Sequence, residues 1–299
     1  MKKILLADLL DREAMDALSN TEGFEITVKT GMNEAELVKT IPGFEAVVVR
    51  SATKITAPVI DAAGALKLIV RAGIGLDNID VKAAKNKGIE VANTPAATSI
   101  SVAELTMGLM IAAVRNFGKA IVSMKQHKWE KKSLEGTELY GKTLGIIGCG
   151  RIGLEVAKRA LAFGMNVLLC DIIEVKTDLP LKQVPFPELL AEADIITIHA
   201  PKTGQPLISA AELATVKDGV VLINAARGGM IDEEALLEAL NSGKVRAAAL
   251  DVYAKEPPED FRLVDHPNVV PSPHLGAAAA EGQKRSGFEV VKILKEKLS

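Results

Sequence analysis

Short runs of β-branched and aliphatic residues alternate with stretches of helical spacing along almost the whole chain, and this rhythm leaves few folds open. It is the pattern of βαβ units, whose parallel strands are covered on both faces by the connecting helices. A first series of apolar runs covers 3–7, 24–28, 45–49, 66–70 and 89–93, with helical stretches at 11–20, 35–41 and 57–65 between them. From Lys142 the series restarts, at 143–148, 166–170, 194–199, 219–225, 246–252 and 268–270. Five strands and then six predict an α/β protein with two doubly wound parallel-sheet domains, the first flavodoxin-like and the second of the nucleotide-binding Rossmann type.

The length, 299 residues, suffices for two such domains, at roughly 150 residues each. A net charge of −2 offers no basic face for nucleic acid or a membrane surface, so the expected partner is a small molecule. Cys149 and Cys170 are too few for a disulfide framework and fit a reducing cytoplasm. Asp8 interrupts the apolar start too early for a signal-peptide core. Between Ser99 and Lys128 runs another apolar stretch, in which Glu104, Arg115 and Lys119 prevent a membrane span. It reads as one long helix, apolar on more than one side, and a homodimer interface is its expected cover.

Gly148, Gly150 and Gly153 make a GxGxxG, a spacing that by itself arises by chance. Here it follows a buried run and opens a helical stretch, so its N–H groups and the helix dipole would meet a pyrophosphate. Asp171 closes the next strand, where a carboxylate can accept from both ribose hydroxyls of an adenosine. A 2′-phosphate would meet that charge, and Ile172 and Ile173 bring no compensating arginine. NAD is therefore the expected cofactor, rather than NADP.

A nicotinamide cofactor implies hydride transfer, for which the protein must supply a proton acceptor and a holder for substrate charge. Three successive runs of the second series lead to residues suited to those tasks: Arg227, Glu256 and His274. His274 is the expected general base. Glu256 can fix its tautomer and favour its charged form. Arg227, ahead of Gly228 and Gly229, can take a carboxylate bidentately and polarise a carbonyl oxygen. Singly, each has an ordinary reading: a surface arginine in a turn, a solvated acid before Pro257 and Pro258, a strand-end histidine bonded to backbone. Together the three favour one catalytic site. His127 and His266 read as surface residues, His199 as structural, and no metal site is expected.

The segments VVRSATKI (48–55), RAGIGLDNID (71–80), NTPAATSISVAELTMG (93–108), the stretch 128–153, NAARGGMIDEEAL (224–236), ALDVYAKEPP (249–258) and SPHLGAAAAEG (272–282) resemble the D-2-hydroxyacid dehydrogenases. Within that family they are most similar to the branch acting on D-3-phosphoglycerate. The resemblance puts the family's arginine, glutamate and histidine on Arg227, Glu256 and His274. Its nucleotide residues fall on Gly148, Gly150, Arg151, Ile152, Gly153 and Asp171, with Ala225, Asp251 and Gly276 around the nicotinamide. It implies a substrate-binding domain at 1–94 and 281–299, and an NAD-binding domain with the dimerisation helix at 95–280. The implied reaction is NAD-dependent oxidation of D-3-phosphoglycerate to 3-phosphohydroxypyruvate, in serine biosynthesis. No regulatory domain is expected after the last helix.

For the substrate, Arg50 and Ser51 follow the run 45–49, and Arg71, Ala72 and Gly73 follow 66–70. Amides of the second turn would form a nest for the acid's carboxylate, with Arg50 and Arg71 as candidates for a distal phosphate. Lys131 and Lys132 resemble a basic segment of the family that can reach a neighbouring subunit's site. Thr98 stands where the phosphoglycerate branch commonly has asparagine, and Ile74 where a small polar residue is frequent. An unphosphorylated acid such as hydroxypyruvate, glyoxylate or D-lactate is therefore the alternative substrate. A reading of another class is an NAD-sensing corepressor built on the same fold.

Overall fold

The computed structural model describes residues 1–298. The chain divides into two compact units, Met1–Ser99 with the segment from Ala277, and Ile100–Gly276.

In the first unit five parallel strands, β1 (Lys2–Leu6), β2 (Phe24–Val28), β3 (Ala46–Val49), β4 (Leu68–Arg71) and β5 (Glu90–Asn93), lie in the order β2-β1-β3-β4-β5. This is the flavodoxin-like order. Every residue of β3 is buried, because helices cover both faces and the strand is central. Leu5, Val47, Val49 and Ile69 pack into one core, while Ile4, Leu6, Val48 and Val70 pack into the other with Val290 and Leu294. Those last two sit on the terminal helix, Ala280–Leu298. Thr94 and Ser286 share a hydroxyl hydrogen bond of 2.8 Å, and Arg285 Nε donates to the Ala97 carbonyl at 2.9 Å. These contacts carry the first unit to Ser99 on one side and back to Ala277 on the other, a few residues beyond 94 and 281.

The second unit holds β6 (Thr143–Ile147), β7 (Asn166–Cys170), β8 (Lys182–Gln183), β9 (Ile195–Ile198), β10 (Val220–Asn224), β11 (Val245–Leu250) and β12 (Val269–Pro271). Their order is β12-β11-β10-β9-β6-β7-β8, parallel throughout. The sequence predicts six strands where there are seven. The strand it misses, β8, is two exposed residues long and has no apolar run to betray it. Strands β8, β7, β6, β9, β10 and β11 form the Rossmann core, and β12 adds an edge beside β11.

The apolar stretch after Ser99 is two helices, Ser99–Val114 and Phe117–Lys125, bent by 69°. Asn116 breaks the run by adopting a left-handed conformation, φ 55, which asparagine tolerates better than most residues. Its amide donates to the Glu135 carbonyl at 3.0 Å, and the Val114 carbonyl accepts from Thr137 N at 2.9 Å, so the break is hydrogen-bonded to the returning chain. No single described helix is long and apolar enough to cross a membrane.

Candidate active site

The glycine-rich loop joins β6 to the helix Arg151–Ala162. Gly148 has φ +84, and a β-carbon there would stand 2.6 Å from Ala200 N, so backbone packs directly on backbone. Gly150 is the N-cap of the helix and makes no side-chain cap bond, while the space a β-carbon would occupy there is open. The first-turn N–H groups are thus available to a phosphate, which is what a dinucleotide requires of this loop. Asp171, just beyond β7, accepts from Cys149 N at 2.8 Å through Oδ2 and from Ile173 N at 3.3 Å through Oδ1. The Asp171 carboxylate is thereby tied to the glycine-rich loop. Ile172 is fully exposed and Ile173 largely so. Burial, with the Asp171 charge second, pushes the Cys149 thiol up to about 11 and raises Cys170 as well, so both thiols stay protonated. They also face different cores on the two sides of the sheet.

Arg227, Glu256 and His274 lie just beyond β10, β11 and β12, three strands adjacent in the sheet. His274 Nδ1 is 2.6 Å from Glu256 Oε2. The other oxygen of Glu256, Oε1, accepts from Tyr253 N at 3.1 Å. With a carboxylate on Nδ1 the proton belongs there, and Nε2 is left as an acceptor. Gly228 lies so close to the Tyr253 carbonyl that any β-carbon would overlap it, which brings the Arg227 turn against the loop leading to Glu256. Arg227 donates from Nη1 to the Ala226 carbonyl at 2.7 Å.

Asp251 and Asn224 organise these turns. Asp251 is fully buried. Its Oδ1 accepts from Ser272 Oγ at 2.5 Å and Leu275 N at 2.7 Å, its Oδ2 from Gly276 N at 2.8 Å, and its carbonyl from His274 N at 2.8 Å. His274 has φ 55, uncommon for a residue with a side chain, and these bonds hold it there. Asn224, 2% exposed, donates to the Arg227 carbonyl at 2.9 Å and accepts from Ala226 N at 3.1 Å. Sequence reasoning does not single out Asn224 or Ser272. The available signal was a polar residue ending the otherwise apolar run VVLIN.

Residues 107–276 match the model of the D-isomer specific 2-hydroxyacid dehydrogenase NAD-binding domain, more than half of the chain. The chain belongs to the D-2-hydroxyacid dehydrogenase family. It is 53% identical over 300 residues to a hydroxypyruvate reductase of Thermotoga maritima, covering 98% of both chains. It is 49% identical over 304 residues to a D-3-phosphoglycerate dehydrogenase of Methanocaldococcus jannaschii, covering all of this chain and 58% of that one. Among solved structures, a D-lactate dehydrogenase from Aquifex aeolicus, complexed with NAD and lactic acid, superposes with a TM-score of 0.86 at 29% identity, covering 98% of this chain and 94% of that one. This dehydrogenase uses NAD, in keeping with the geometry of the glycine-rich loop and the Asp171 carboxylate.

The remaining sequence candidates of this dehydrogenase occupy varied surroundings. Ala225 and Gly276 are buried beside Asn224 and Asp251, while Arg151 is exposed and Ile152 half-buried on the helix opened by the loop. Arg50 is half-buried and Ser51 exposed, on the turn after β3. Arg71 folds its guanidinium over Gly73, with Nη1 2.5 Å from where a β-carbon would be. The Ala72 N–H continues the ladder to the Val49 carbonyl at 2.8 Å, so it is not a donor of the expected anion nest. Lys131 and Lys132 are exposed on a single 3-10 turn. Thr98 is buried, with no protein partner for its hydroxyl. His127 is exposed, whereas His266 is half-buried and accepts from Asn268 N at 3.2 Å, so it is less of a surface residue than expected. His199 is half-buried, its Nε2 3.0 Å from Thr197 Oγ1, and burial of the ring pushes its pKa down to about 4. Among the described residues no cluster of His, Cys, Asp or Glu could hold a metal ion.

Proposed function

We propose that the chain interconverts a three-carbon D-2-hydroxy acid and its 2-oxo acid, with D-3-phosphoglycerate and 3-phosphohydroxypyruvate as the first pair to test. The observation that carries the reaction type is the 2.6 Å contact of His274 Nδ1 with Glu256, in the loops that follow β12 and β11, with β11 next to β10, the strand leading to Arg227. The glycine-rich loop and Asp171 would hold NAD, which would supply the acceptor for the hydride of C2. His274 takes the proton of the C2 hydroxyl on Nε2 and returns it in the reverse direction. Glu256 keeps the proton on Nδ1 and stabilises the imidazolium. Arg227 binds the carboxylate and polarises the oxygen that becomes the carbonyl. Ala225, Asp251 and Gly276 belong to the nicotinamide end of the site, and Gly148, Gly150, Arg151, Ile152, Gly153 and Asp171 to the adenosine diphosphate end. Arg50, Ser51, Arg71 and Gly73 recognise the acid's anionic groups. The positive charge of Arg50, whose Nη1 donates to the Leu9 carbonyl at 3.3 Å at an exposed position, supports a phosphate, and the phosphoglycerate dehydrogenase relative supports the same reading.

A second substrate, unphosphorylated hydroxypyruvate, is favoured by the Thermotoga relative, which matches this chain over nearly the full length of both. A panel of 3-phosphoglycerate, D-glycerate, hydroxypyruvate, glyoxylate and D-lactate, run with NAD and NADP in both directions, decides between them. Preference for the phosphorylated pair supports serine biosynthesis as the setting. Turnover of any member argues against a binding-only role such as corepression.

We also propose that a second copy of the chain covers the helix Phe117–Lys125. Phe117, Ile121, Val122 and Met124 are about half exposed there, and Trp129 nearby is 78% exposed. Light scattering behind a sizing column would show a homodimer, reduced to monomer by Ile121→Glu.

A further inference from the structure

The turn after β3 is braced by two side chains that no part of the proposed chemistry has yet used. Asp8, which follows β1 and is 7% exposed, accepts through Oδ2 from Arg50 N at 2.6 Å and Thr53 N at 3.2 Å. Its Oδ1 accepts from the Thr53 hydroxyl at 2.9 Å. From the other side, Asn78 Nδ2 donates to the Arg50 carbonyl at 2.8 Å and the Thr53 carbonyl at 2.6 Å. Both main-chain polar groups of Arg50 and of Thr53 are thus held by side chains distant in sequence. The orientation of the Asn78 amide is set by these bonds, since its oxygen cannot face two carbonyls. That oxygen is left buried without a partner, a penalty the fold bears to keep both donors on the turn.

Between the clamped residues, Ser51 and Ala52 are exposed, and among the described residues their N–H groups make no hydrogen bond. Consecutive free N–H groups on a fixed turn form a concave donor set for an anion. The Ser51 hydroxyl and the Arg50 guanidinium lie on the same turn. A loop left to itself would lose much of its binding strength in becoming ordered, and a pre-formed one does not.

We infer that Asp8 and Asn78 are positioning residues, which hold the Arg50–Thr53 turn as a pre-formed cradle for an anionic group of the acid, its carboxylate or its phosphate. This rests on the hydroxy-acid reading of the site and adds what shapes the substrate-binding loop. Asp8 acts as an acceptor, not as a charge. Asparagine can take its place, with the amide oxygen receiving the two N–H groups and the amide nitrogen donating to the Thr53 hydroxyl, whose single hydrogen then turns to the Ala7 carbonyl 3.2 Å away.

The test measures hydroxypyruvate and 3-phosphohydroxypyruvate reduction by wild type, Asp8→Ala, Asp8→Asn and Asn78→Ala. In Asp8→Ala and Asn78→Ala the acid's KM rises about tenfold or more, kcat stays within about threefold, and the KM for NADH does not move. Asp8→Asn restores the KM to within about threefold of wild type. An equal rise for both acids assigns the cradle to the carboxylate, and a rise confined to the phosphorylated acid assigns it to the phosphate. A KM unchanged in the alanine variants, or a loss in Asp8→Asn as large as in Asp8→Ala, overturns the inference. Wild type inactive on both acids would instead count against the functional reading. The cradle then stands or falls on calorimetric binding of oxalate and inorganic phosphate, which must be weaker in Asp8→Ala than in wild type. Hydrogen exchange gives a further check: the Arg50 and Thr53 amides should be protected in wild type and lose protection in Asp8→Ala, while β3 and β4 keep theirs.

Discussion

His274 Nδ1 lies 2.6 Å from Glu256 Oε2, and the second oxygen of the same carboxylate accepts from the Tyr253 amide at 3.1 Å. Glu256 therefore has a donor on each oxygen, and both donors set where it points. A glutamine has only one oxygen for two donors. If that oxygen stays with Tyr253, the amide nitrogen faces Nδ1 and forces the proton to Nε2, where the imidazole can no longer accept one. Glu256→Gln should lower kcat by on the order of 10² with little change in NAD affinity, read by initial rates and by NADH titration.

Arg227 leaves β10 through a turn pinned by Asn224. Lysine keeps its charge and loses the planar fork that suits a carboxylate. Arg227→Lys should raise the acid's KM and lower kcat, each by about tenfold, because the contact serves both the bound acid and the developing charge. A KM effect alone would confine Arg227 to binding.

Much of this arrangement was legible in the sequence, and the reason is topological. Arg227, Glu256 and His274 each come after a buried run, and parallel strands deliver the residues beyond their carboxyl ends to one edge of the sheet. Asp251 and Gly276 were reached only through the family resemblance, and the contacts that fix the geometry were not legible. The contacts of Asp251 with Ser272, Leu275 and Gly276 join residues 21 to 25 positions apart, and no local pattern encodes them. In the same way, Asn116 sits in a stretch whose apolar composition continues past it, so composition predicts one helix where a left-handed residue makes two. The pair β7 and β8 shows the opposite limit, since the ladder from Leu168 to Lys182 exists without any hydrophobic signal in β8.

Asp171, proposed to read the adenosine ribose, is bonded to Cys149 N of the glycine-rich loop. Asp171→Ala should raise the KM for NAD and shift the NAD-to-NADP preference toward NADP by about tenfold, the scale of one lost charge-assisted contact. Paired kinetics with the two cofactors measure the shift. A preference that stays put would remove Asp171 from ribose recognition.

His199 gives the second unit a built-in acid sensitivity. Burial lowers its pKa from 6.5 to about 4, so the unfolded chain takes up a proton that the folded one refuses. Stability should be unaffected by this group above pH 6.5, fall as the pH drops toward 4, and lose roughly 3 kcal/mol in that window. His199→Gln should flatten that part of the pH dependence in urea unfolding, leaving the contribution of the carboxylates. An unchanged slope would mean that His199 is protonated in the fold.

The claim that His274 is the proton acceptor of an NAD-linked 2-hydroxy acid dehydrogenase is tested most directly by measuring reduction of hydroxypyruvate and 3-phosphohydroxypyruvate by NADH, with wild type and His274→Ala side by side. Wild type should turn over at least one acid, kcat should be lower by about 10² to 10⁴ in the variant, and the NADH affinity should be the same in both. A variant that keeps the wild-type kcat on an acid the wild type turns over would contradict it.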